Sequence, residues 1–156
     1  MPASPPYHVH RLKPSDLERM HALLDVFGDA FDERDTYGAA RPRPEYLEAL
    51  LGSDTFVALA ATSGDEVVGG LAAYELKKFE RERSEFYIYD LAVATTHRRR
   101  GIATALIREL QRIAAARGGW VVFVQADRDD GPAVALYSKL GVREEVLHFD
   151  IHPPRP

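Results

Sequence analysis

Cysteine is absent from the 156-residue sequence, and its absence excludes several kinds of chemistry. Without thiols the chain can form no disulfide, no thiolate zinc site and no cysteine acyl-enzyme, so covalent catalysis would need another nucleophile. The six histidines are scattered, and the closest pair, His8 and His10, has no third ligand at a convincing spacing. We therefore expect no metal site.

Long apolar runs and an excess of basic residues are also missing. No apolar run approaches the roughly 20 residues that span a bilayer, and no early segment has a basic start followed by a long apolar stretch. We expect a soluble, cytoplasmic protein without a membrane partner. The 20 basic residues are outnumbered by 24 acidic ones, which argues against nucleic acid and leaves a cationic partner plausible.

The length and the 46% hydrophobic content are those of one ordinary domain with its own core. Three prolines in residues 1–6 predict a flexible tail. We expect a single domain over residues 7–152 and a short tail over residues 153–156. No internal repeat or low-complexity region is evident.

Apolar spacing predicts an α/β protein with the element order βααβββαβαβ. Ser15 and Glu18 have capping-box spacing at the start of the first helix. The polar, Gly- and Pro-containing stretch 32–43 reads as a loop that could border a substrate site. The predicted strands cover residues 7–13, 55–62, 67–76, 85–93, 120–126 and 142–151, and the predicted helices cover 16–27, a short segment from Pro44, 101–117 and 133–140.

Residues 95–104 (TTHRRRGIAT) connect a buried strand to an amphipathic helix. The first N–H groups of such a helix are unpaired and its dipole is positive there, so the turn favours an anion. Gly101 and Ala103 leave room for a phosphate, although an arginine-rich turn can also be a solvated loop. The sequence contains neither the motif of a nucleotide-binding P-loop nor the three-glycine motif of a dinucleotide-binding fold.

The motif RRRGIA (residues 98–103) fits the pattern Gln/Arg-x-x-Gly-x-Gly/Ala of the GNAT superfamily of N-acetyltransferases. The runs YIYDLAV, HRRRGIATALI, VQAD, GPAVALY and KLGVREEVLHFDI resemble the aminoglycoside 3-N-acetyltransferases within it. The resemblance covers roughly residues 8–152. One departure is that Thr95-Thr96 stands where a proline is often found.

The resemblance implies a GNAT fold, with a mixed, mostly antiparallel sheet that is splayed between its fourth and fifth strands and flanked by about four helices. It also implies direct transfer of an acetyl group from acetyl-CoA, in a ternary complex, to the 3-amino group of a gentamicin-type drug, giving antibiotic resistance. The implied cofactor-binding residues are Leu91, Ala92, Val93, Arg98, Arg99, Arg100, Gly101, Ile102, Ala103 and Thr104.

Two residues are candidates for catalysis. Asp90 interrupts an apolar strand, where an unpaired carboxylate would be costly to desolvate, so it has either a function or a salt-bridge partner. The resemblance places it at the acceptor amine. Tyr137 resembles the tyrosine that donates a hydrogen bond or proton to the coenzyme A sulfur, and the alternative is a core aromatic.

The expected substrate is a polycation, so further carboxylates should line the acceptor cleft. Asp129, Asp130 and Asp150 are the candidates, although surface acids often only solubilise a face. Tyr87 and Tyr89 alternate onto one strand face and could flank the substrate or pack on the sheet.

Other functions fit parts of the pattern. The acceptor could be a polyamine, another small amine or a peptide amine, and a non-catalytic acyl-CoA sensor would keep the fold. Nucleic-acid binding through residues 97–100 is disfavoured by the net charge of -4. The apolar end of residues 142–151 could support a homodimer.

Overall fold

The computed structural model describes residues 7–156, so the predicted tail at residues 1–6 lies outside it. These residues form two compact units, which meet in sequence between Gln125 and Ala126. The elements of the first unit are β1 (Tyr7–Arg11), α1 (Leu17–Ala30), α2 (Arg34–Gly38), α3 (Pro44–Leu51), β2 (Phe56–Ser63), β3 (Glu66–Lys77), β4 (Ser84–Val93), a 3-10 turn (Thr95–His97), α4 (Ile102–Ala116) and β5 (Gly119–Val124). The second unit contains α5 (Gly131–Leu140).

The first unit is built on a five-stranded sheet in the order β1-β2-β3-β4-β5. Neighbouring strands are antiparallel except β4 and β5, which are parallel. The expected mixed, mostly antiparallel α/β architecture is therefore confirmed. The turn between β2 and β3 contains Gly64 at a φ of 60°, which suits the Ser-Gly-Asp-Glu spelling of a hairpin.

The core lies on both faces of this sheet, because β2 is buried on both sides. Met20, Leu23 and Phe27 of α1 pack with Leu47 and Leu51 of α3 against one face. Helix α4 contacts all five strands, and its spacing of apolar residues explains the contact, since one stripe of the helix is buried. The buried residues of that stripe are Ile102, Leu106, Ile107, Leu110, Ile113 and Ala114.

Two expectations for the amino-terminal half are wrong. Helix α2 lies within the predicted loop 32–43, where a one-turn polar helix leaves no periodic apolar pattern. The predicted capping box at Ser15 does not form, because α1 begins at Leu17 with Asp16 as its N-cap and without a side-chain capping bond. The Asp16 carboxylate instead accepts a hydrogen bond from the Lys13 N–H at 2.8 Å.

The second unit departs from expectation at its end. Helix α5 is capped by Asp130, whose Oδ1 accepts a hydrogen bond from the Ala133 N–H at 3.2 Å, and Pro132 lies in its first turn. Residues 142–151, predicted as the last strand, belong to no strand, and their side chains are exposed. The prediction is wrong for this chain alone because a strand needs a hydrogen-bonded neighbour, and residues 7–156 do not supply one. No helix of the described part of the chain is long and apolar enough to cross a bilayer.

The packing of α1 on the sheet predicts a sharp requirement for glycine at position 70. A Cβ atom there would lie 2.4 Å from the Leu59 carbonyl oxygen and 2.4 Å from Leu23 Cδ1. We expect Gly70→Ala to lower the free energy of unfolding by about 3 kcal/mol in urea titrations, because a backbone oxygen cannot move aside cheaply. Gly131→Ala, which meets nothing within 4 Å, is the matched control, and equal stability of the two variants would contradict this packing.

Candidate active site

A register shift between β3 and β4 determines where the candidate acid lies. Ala72 pairs with Asp90, whereas the next residue, Ala73, pairs with Ile88, so Tyr89 is an extra residue in β4. Because side chains alternate along a strand, this bulge puts Asp90 on the face opposite Ile88. Ile88 is buried in the core, and Asp90 emerges on the face covered by α1.

The Asp90 carboxylate is held by Tyr37. The Tyr37 hydroxyl donates a hydrogen bond to Asp90 Oδ2 at 3.0 Å. Burial raises the pKa of Asp90 and outweighs this hydrogen bond, which lowers it, while the charge of Glu33 raises it further. Burial and the neighbouring Asp90 also raise the pKa of Tyr37, so the phenol remains a donor.

Helix α2 brings Tyr37 to this position because its ring packs on α1. The ring centroid lies 5.9 Å from that of Phe27 and 5.8 Å from that of Phe31. Arg41 Nε donates to the Tyr37 carbonyl oxygen at 3.2 Å, and the same guanidinium is ion-paired with Asp25. The Tyr37 hydroxyl is thus fixed by contacts at both its ring and its backbone.

A depression of about 290 Å³ lies beside Tyr37, between α1 and α2. Two carboxylates line it, those of Asp25 and Asp29. Asp25 is paired with Arg41, and Asp29 accepts from Arg34 Nε at 2.7 Å. Since both negative charges already have cationic partners, this depression carries less attraction for a cation than its acids suggest.

An aromatic wall adjoins the carboxylate. The ring of Tyr89 lies 5.8 Å from that of Tyr87 and 6.1 Å from that of Tyr74. Tyr87 stacks on Phe123 at 4.7 Å and donates to Gln125 Oε1 at 3.0 Å. Burial raises the pKa of both Tyr74 and Tyr87. Exposed tyrosine faces beside a carboxylate suit an ammonium group, which gains from both.

Beyond these tyrosines the pairing of β4 with β5 ends. Their pairing runs from Ser84 to Ile88 on β4, but β4 continues to Val93. Over Tyr89 to Val93 the backbone edge of β4 that faced β5 therefore has no strand partner within residues 7–156. Leu91, Ala92 and Val93 lie on this open edge, which can bind an extended polar ligand through main-chain groups.

The turn after β4 has the geometry of an anion site. Arg99 and Gly101 both have left-handed backbones, with φ of 62° and 79°. Gly101 is the N-cap of α4 and makes no side-chain capping bond, so the N–H groups of Ile102, Ala103 and Thr104 at the first turn are open. Because α4 also presents its positive dipole end there, these residues fit a pyrophosphate.

The arginines of this turn differ in their roles. Arg98 Nε donates to the Val93 carbonyl oxygen at 3.1 Å and so ties the turn to the end of β4. Arg98, Arg99 and Arg100 are all exposed. Arg99 and Arg100 add positive charge beside the start of the helix. This combination suits a phosphate better than a neutral ligand.

The remaining candidates lie in the second unit. Burial, followed by the charge of Asp130, raises the pKa of Tyr137 to about 12. Asp130 has a structural role as the α5 cap, and the Asp150 carboxylate lies 2.9 Å from His148 Nε2. Asp129 is exposed. Their functional roles stay predictions, as do those of Tyr87, Tyr89 and Asp90.

Two residues of the candidate site, Tyr37 and Tyr74, were not predicted from the sequence. Tyr37 stands in a stretch without apolar periodicity, and its only signal was an aromatic residue within a polar connection. Tyr74 follows the alternation of β3 and resembles any sheet aromatic. Within residues 7–156 no group of three histidine or acidic side chains is placed to hold a metal ion.

The Tyr37–Asp90 hydrogen bond can be tested by titrating the Asp90 carboxyl. In Tyr37→Phe the carboxylate stays buried but loses its donor, so we expect the pKa of Asp90 to rise above its value in the unmodified protein. Carbon-13 NMR of the aspartate side chains against pH measures this value. Tyr89→Phe, which leaves the hydrogen bond in place, is the control, and an unchanged or lower Asp90 pKa in Tyr37→Phe would contradict the assignment.

Comparison with solved structures finds close relatives. An aminoglycoside acetyltransferase from an uncultured soil metagenomic sample is 62% identical, with a TM-score of 0.94, over 96% of this chain and 99% of that chain. A second aminoglycoside acetyltransferase from such a sample, solved with sisomicin, is 31% identical with a TM-score of 0.87, over 95% of this chain and 97% of that chain.

Comparison with curated proteins finds more distant relatives. The N-acetyltransferase 8B of Rattus norvegicus is 33% identical over 57% of this chain, and the match spans only 40% of that protein's length. Streptothricin acetyltransferase of Streptomyces lavendulae is 26% identical over 86% of this chain and 80% of that protein.

Residues 20–142 match the family described as the Acetyltransferase (GNAT) family. The matched range contains the bulged strand β4, the open backbone edge and the start of α4. Since it also covers well over half of the chain, the protein belongs to the acetyltransferase (GNAT) family.

Proposed function

We propose that this protein transfers an acetyl group from acetyl-CoA to an amine of an aminoglycoside, the 3-amino group of gentamicin-type drugs, and so gives antibiotic resistance. It works in the cytoplasm, as a homodimer. The observation that carries the proposal is the desolvated Asp90 carboxylate beside exposed tyrosine faces, at the point where β4 loses its partner strand. The 62% identity to an aminoglycoside acetyltransferase supports the choice of acceptor.

Acetyl-CoA is the co-substrate, and the residues present fit it. The open N–H groups of Ile102, Ala103 and Thr104, with the arginines 98–100, would hold the pyrophosphate. The main chain of Leu91, Ala92 and Val93 would bind the pantetheine arm along the unpaired edge of β4. Bound in this way, acetyl-CoA would have its thioester near the end of the strand that carries Asp90.

The acceptor side uses charge and aromatic surface. Asp90 accepts hydrogen bonds from the substrate ammonium, and the faces of Tyr87 and Tyr89 flank it. A carboxylate whose pKa is raised by burial is also a better proton acceptor, so Asp90 receives the ammonium proton directly or through water. Asp129, Asp130 and Asp150 would attract the other ammonium groups, with Asp130 also capping α5.

The transfer is direct, within a ternary complex. The neutral amine nitrogen forms a bond to the acetyl carbonyl carbon, the carbon–sulfur bond breaks, and the coenzyme A thiolate leaves. Tyr137 is protonated at neutral pH because its pKa is about 12, so its hydroxyl can donate a hydrogen bond or a proton to that sulfur. The chain has no cysteine to form an acetyl-enzyme.

A second candidate acceptor is another small polycationic amine. The 26% identity to streptothricin acetyltransferase over most of both chains favours it, and a carboxylate beside tyrosines accepts any ammonium. The acceptor geometry alone does not separate an aminoglycoside from streptothricin or spermidine.

Thiol release from acetyl-CoA by the purified protein tests these alternatives. Gentamicin, kanamycin, streptothricin, spermidine and a lysine peptide are supplied in parallel. We expect turnover with gentamicin, and NMR of the product then identifies the acetylated nitrogen. Turnover only with another amine would overturn the aminoglycoside assignment, and tight coenzyme A binding without any turnover would indicate a sensor.

Substitutions test the two catalytic assignments. We expect Asp90→Asn to lower kcat/KM for gentamicin by about 100-fold or more, because it removes a positioned proton acceptor and a charge. Tyr137→Phe should lower kcat by roughly tenfold or more while the KM for the drug changes little. Asp65→Asn, in the exposed β2–β3 turn, is the control. Wild-type rates in both site variants would refute the roles even if the activity is present.

A further inference from the structure

Helix α2 carries the phenol that bonds to Asp90, yet this helix is too short to be stable by itself. It spans five residues, Arg34–Gly38, and none of them is buried. Helices of about one turn do not persist in water without tertiary contacts, because their few hydrogen bonds do not offset the cost of ordering the backbone. Contacts with the rest of the chain must therefore fix the position of Tyr37.

Arg41, three residues after α2, supplies such contacts with all three nitrogens of its guanidinium. Its Nε donates to the Tyr37 carbonyl oxygen at 3.2 Å, its Nη2 is ion-paired with Asp25, and its Nη1 lies 3.5 Å from His21 Nδ1. Asp25 and His21 are four residues apart in α1, so they share one face of that helix. We call these three contacts the Arg41 clamp, because a planar guanidinium holds its partners in one fixed arrangement.

The two helices also meet too closely for α2 to shift towards α1. A Cβ atom on Gly28 of α1 would lie 3.3 Å from Tyr37 Cβ and 3.3 Å from Arg34 Cα. Movement of α2 away from α1 is thus the motion that remains, and it is the motion that the Arg41 clamp opposes.

The placement of α2 determines which oxygen of Asp90 is free. Within the first unit, Oδ2 accepts from the Tyr37 hydroxyl at 3.0 Å, and no other hydrogen bond to this carboxylate is present. Oδ1 is therefore the oxygen left for an acceptor ammonium. Arg41 bonds to the backbone of Tyr37 and not to Asp90, so its influence on the carboxylate is indirect. The titratable groups around Asp90 are Tyr37 and Glu33 at α2, Tyr74 on β3, and Tyr87 and Tyr89 on β4.

We propose that Arg41 is a positioning residue for the acetyl transfer: by clamping the end of α2 to α1, it keeps the Tyr37 hydroxyl on Oδ2 of Asp90 and leaves Oδ1 directed at the acceptor amine. The inference rests on the proposed role of Asp90 in that reaction. A carboxylate that rotates freely spends less time aligned with the amine, so loss of the Arg41 clamp slows transfer without removing any reacting group.

Titration of Tyr37 tests the Arg41 clamp without any substrate. Burial and the neighbouring Asp90 raise the pKa of Tyr37, so its phenol should stay neutral up to roughly pH 11 in the unmodified protein. In Arg41→Ala both causes weaken as α2 moves away, so the pKa of Tyr37 should fall towards the usual value of about 10. Carbon-13 NMR of labelled tyrosines follows this group, whose signal is assigned by its loss in Tyr37→Phe.

Arg34→Ala is the matched control. Arg34 Nε donates to Asp29 of α1 at 2.7 Å, but none of its hydrogen bonds within residues 7–156 reaches Tyr37, so Tyr37 should stay neutral over the same range. Circular dichroism at each pH shows that the variants are folded. Arg41→Lys, which keeps the charge but not the planar group, replaces Arg41→Ala if the latter does not fold. An unchanged Tyr37 pKa in the folded Arg41 variant would overturn the proposal.

Kinetics show whether Arg41 acts on the reaction through Tyr37. With gentamicin, or with whichever amine the unmodified protein acetylates, we expect Arg41→Ala to lower kcat/KM roughly tenfold while the KM for acetyl-CoA changes little. In the Tyr37→Phe background the same substitution should have little further effect, because the bond that it protects is already absent. No loss in the unmodified background, or the same loss in both backgrounds, would overturn the role. Absence of turnover with every amine would count against the proposed function alone, and the Tyr37 titration would still decide whether Arg41 places the phenol.

Discussion

A hydrogen bond between a phenol and a half-buried carboxylate links the helical layer of this protein to its sheet. Asp90 can stay desolvated in β4 because the Tyr37 hydroxyl donates to it at 3.0 Å. Tyr37 in turn depends on its contacts with Phe27 of α1 and with Phe31 at the end of that helix, and on the hydrogen bond from Arg41 to its carbonyl oxygen. The position of the candidate base is therefore set by packing between α1 and α2 as much as by the strand that carries it.

The two ends of the candidate site use different parts of the chain. At the turn before α4 and along the open edge of β4, the available groups belong to the main chain, and small or left-handed residues such as Gly101 keep them accessible. At the acceptor end they are side chains, chiefly those of Asp90, Tyr87 and Tyr89. A cofactor shared by a whole family suits main-chain recognition, whereas a variable acceptor suits side chains that can be exchanged one at a time.

Periodicity and turn chemistry predicted most of the strands, the long helix α4 and the turn that precedes it, because each of these leaves a local signal. Helix α2 was not predicted, because a single polar turn has no apolar period. The contact that makes it important joins Tyr37 to Asp90, which are far apart in the sequence. Residues 142–151 alternate as a strand should, but a strand also needs a hydrogen-bonded neighbour, and a local pattern cannot show whether the chain supplies one. Asp90 was recognisable from the sequence because a carboxylate is costly to desolvate in an apolar strand. The face of the sheet on which it lies was not, because it depends on the bulge at Tyr89.

The bulge at Tyr89 has a genetic consequence. Because the extra residue, rather than any particular side chain, turns Asp90 away from the face of Ile88, most point mutations at this codon should leave the carboxylate where it is. An in-frame loss of the codon would remove the bulge, yet Asp90 would then follow Ile88 directly and by plain alternation would still face away from it. The acid would turn towards the hydrophobic core only if one residue were inserted opposite the bulge, between Ala72 and Ala73 of β3. The face of the carboxylate should thus tolerate altered spelling at position 89, and even loss of that residue, more readily than added length in the neighbouring strand.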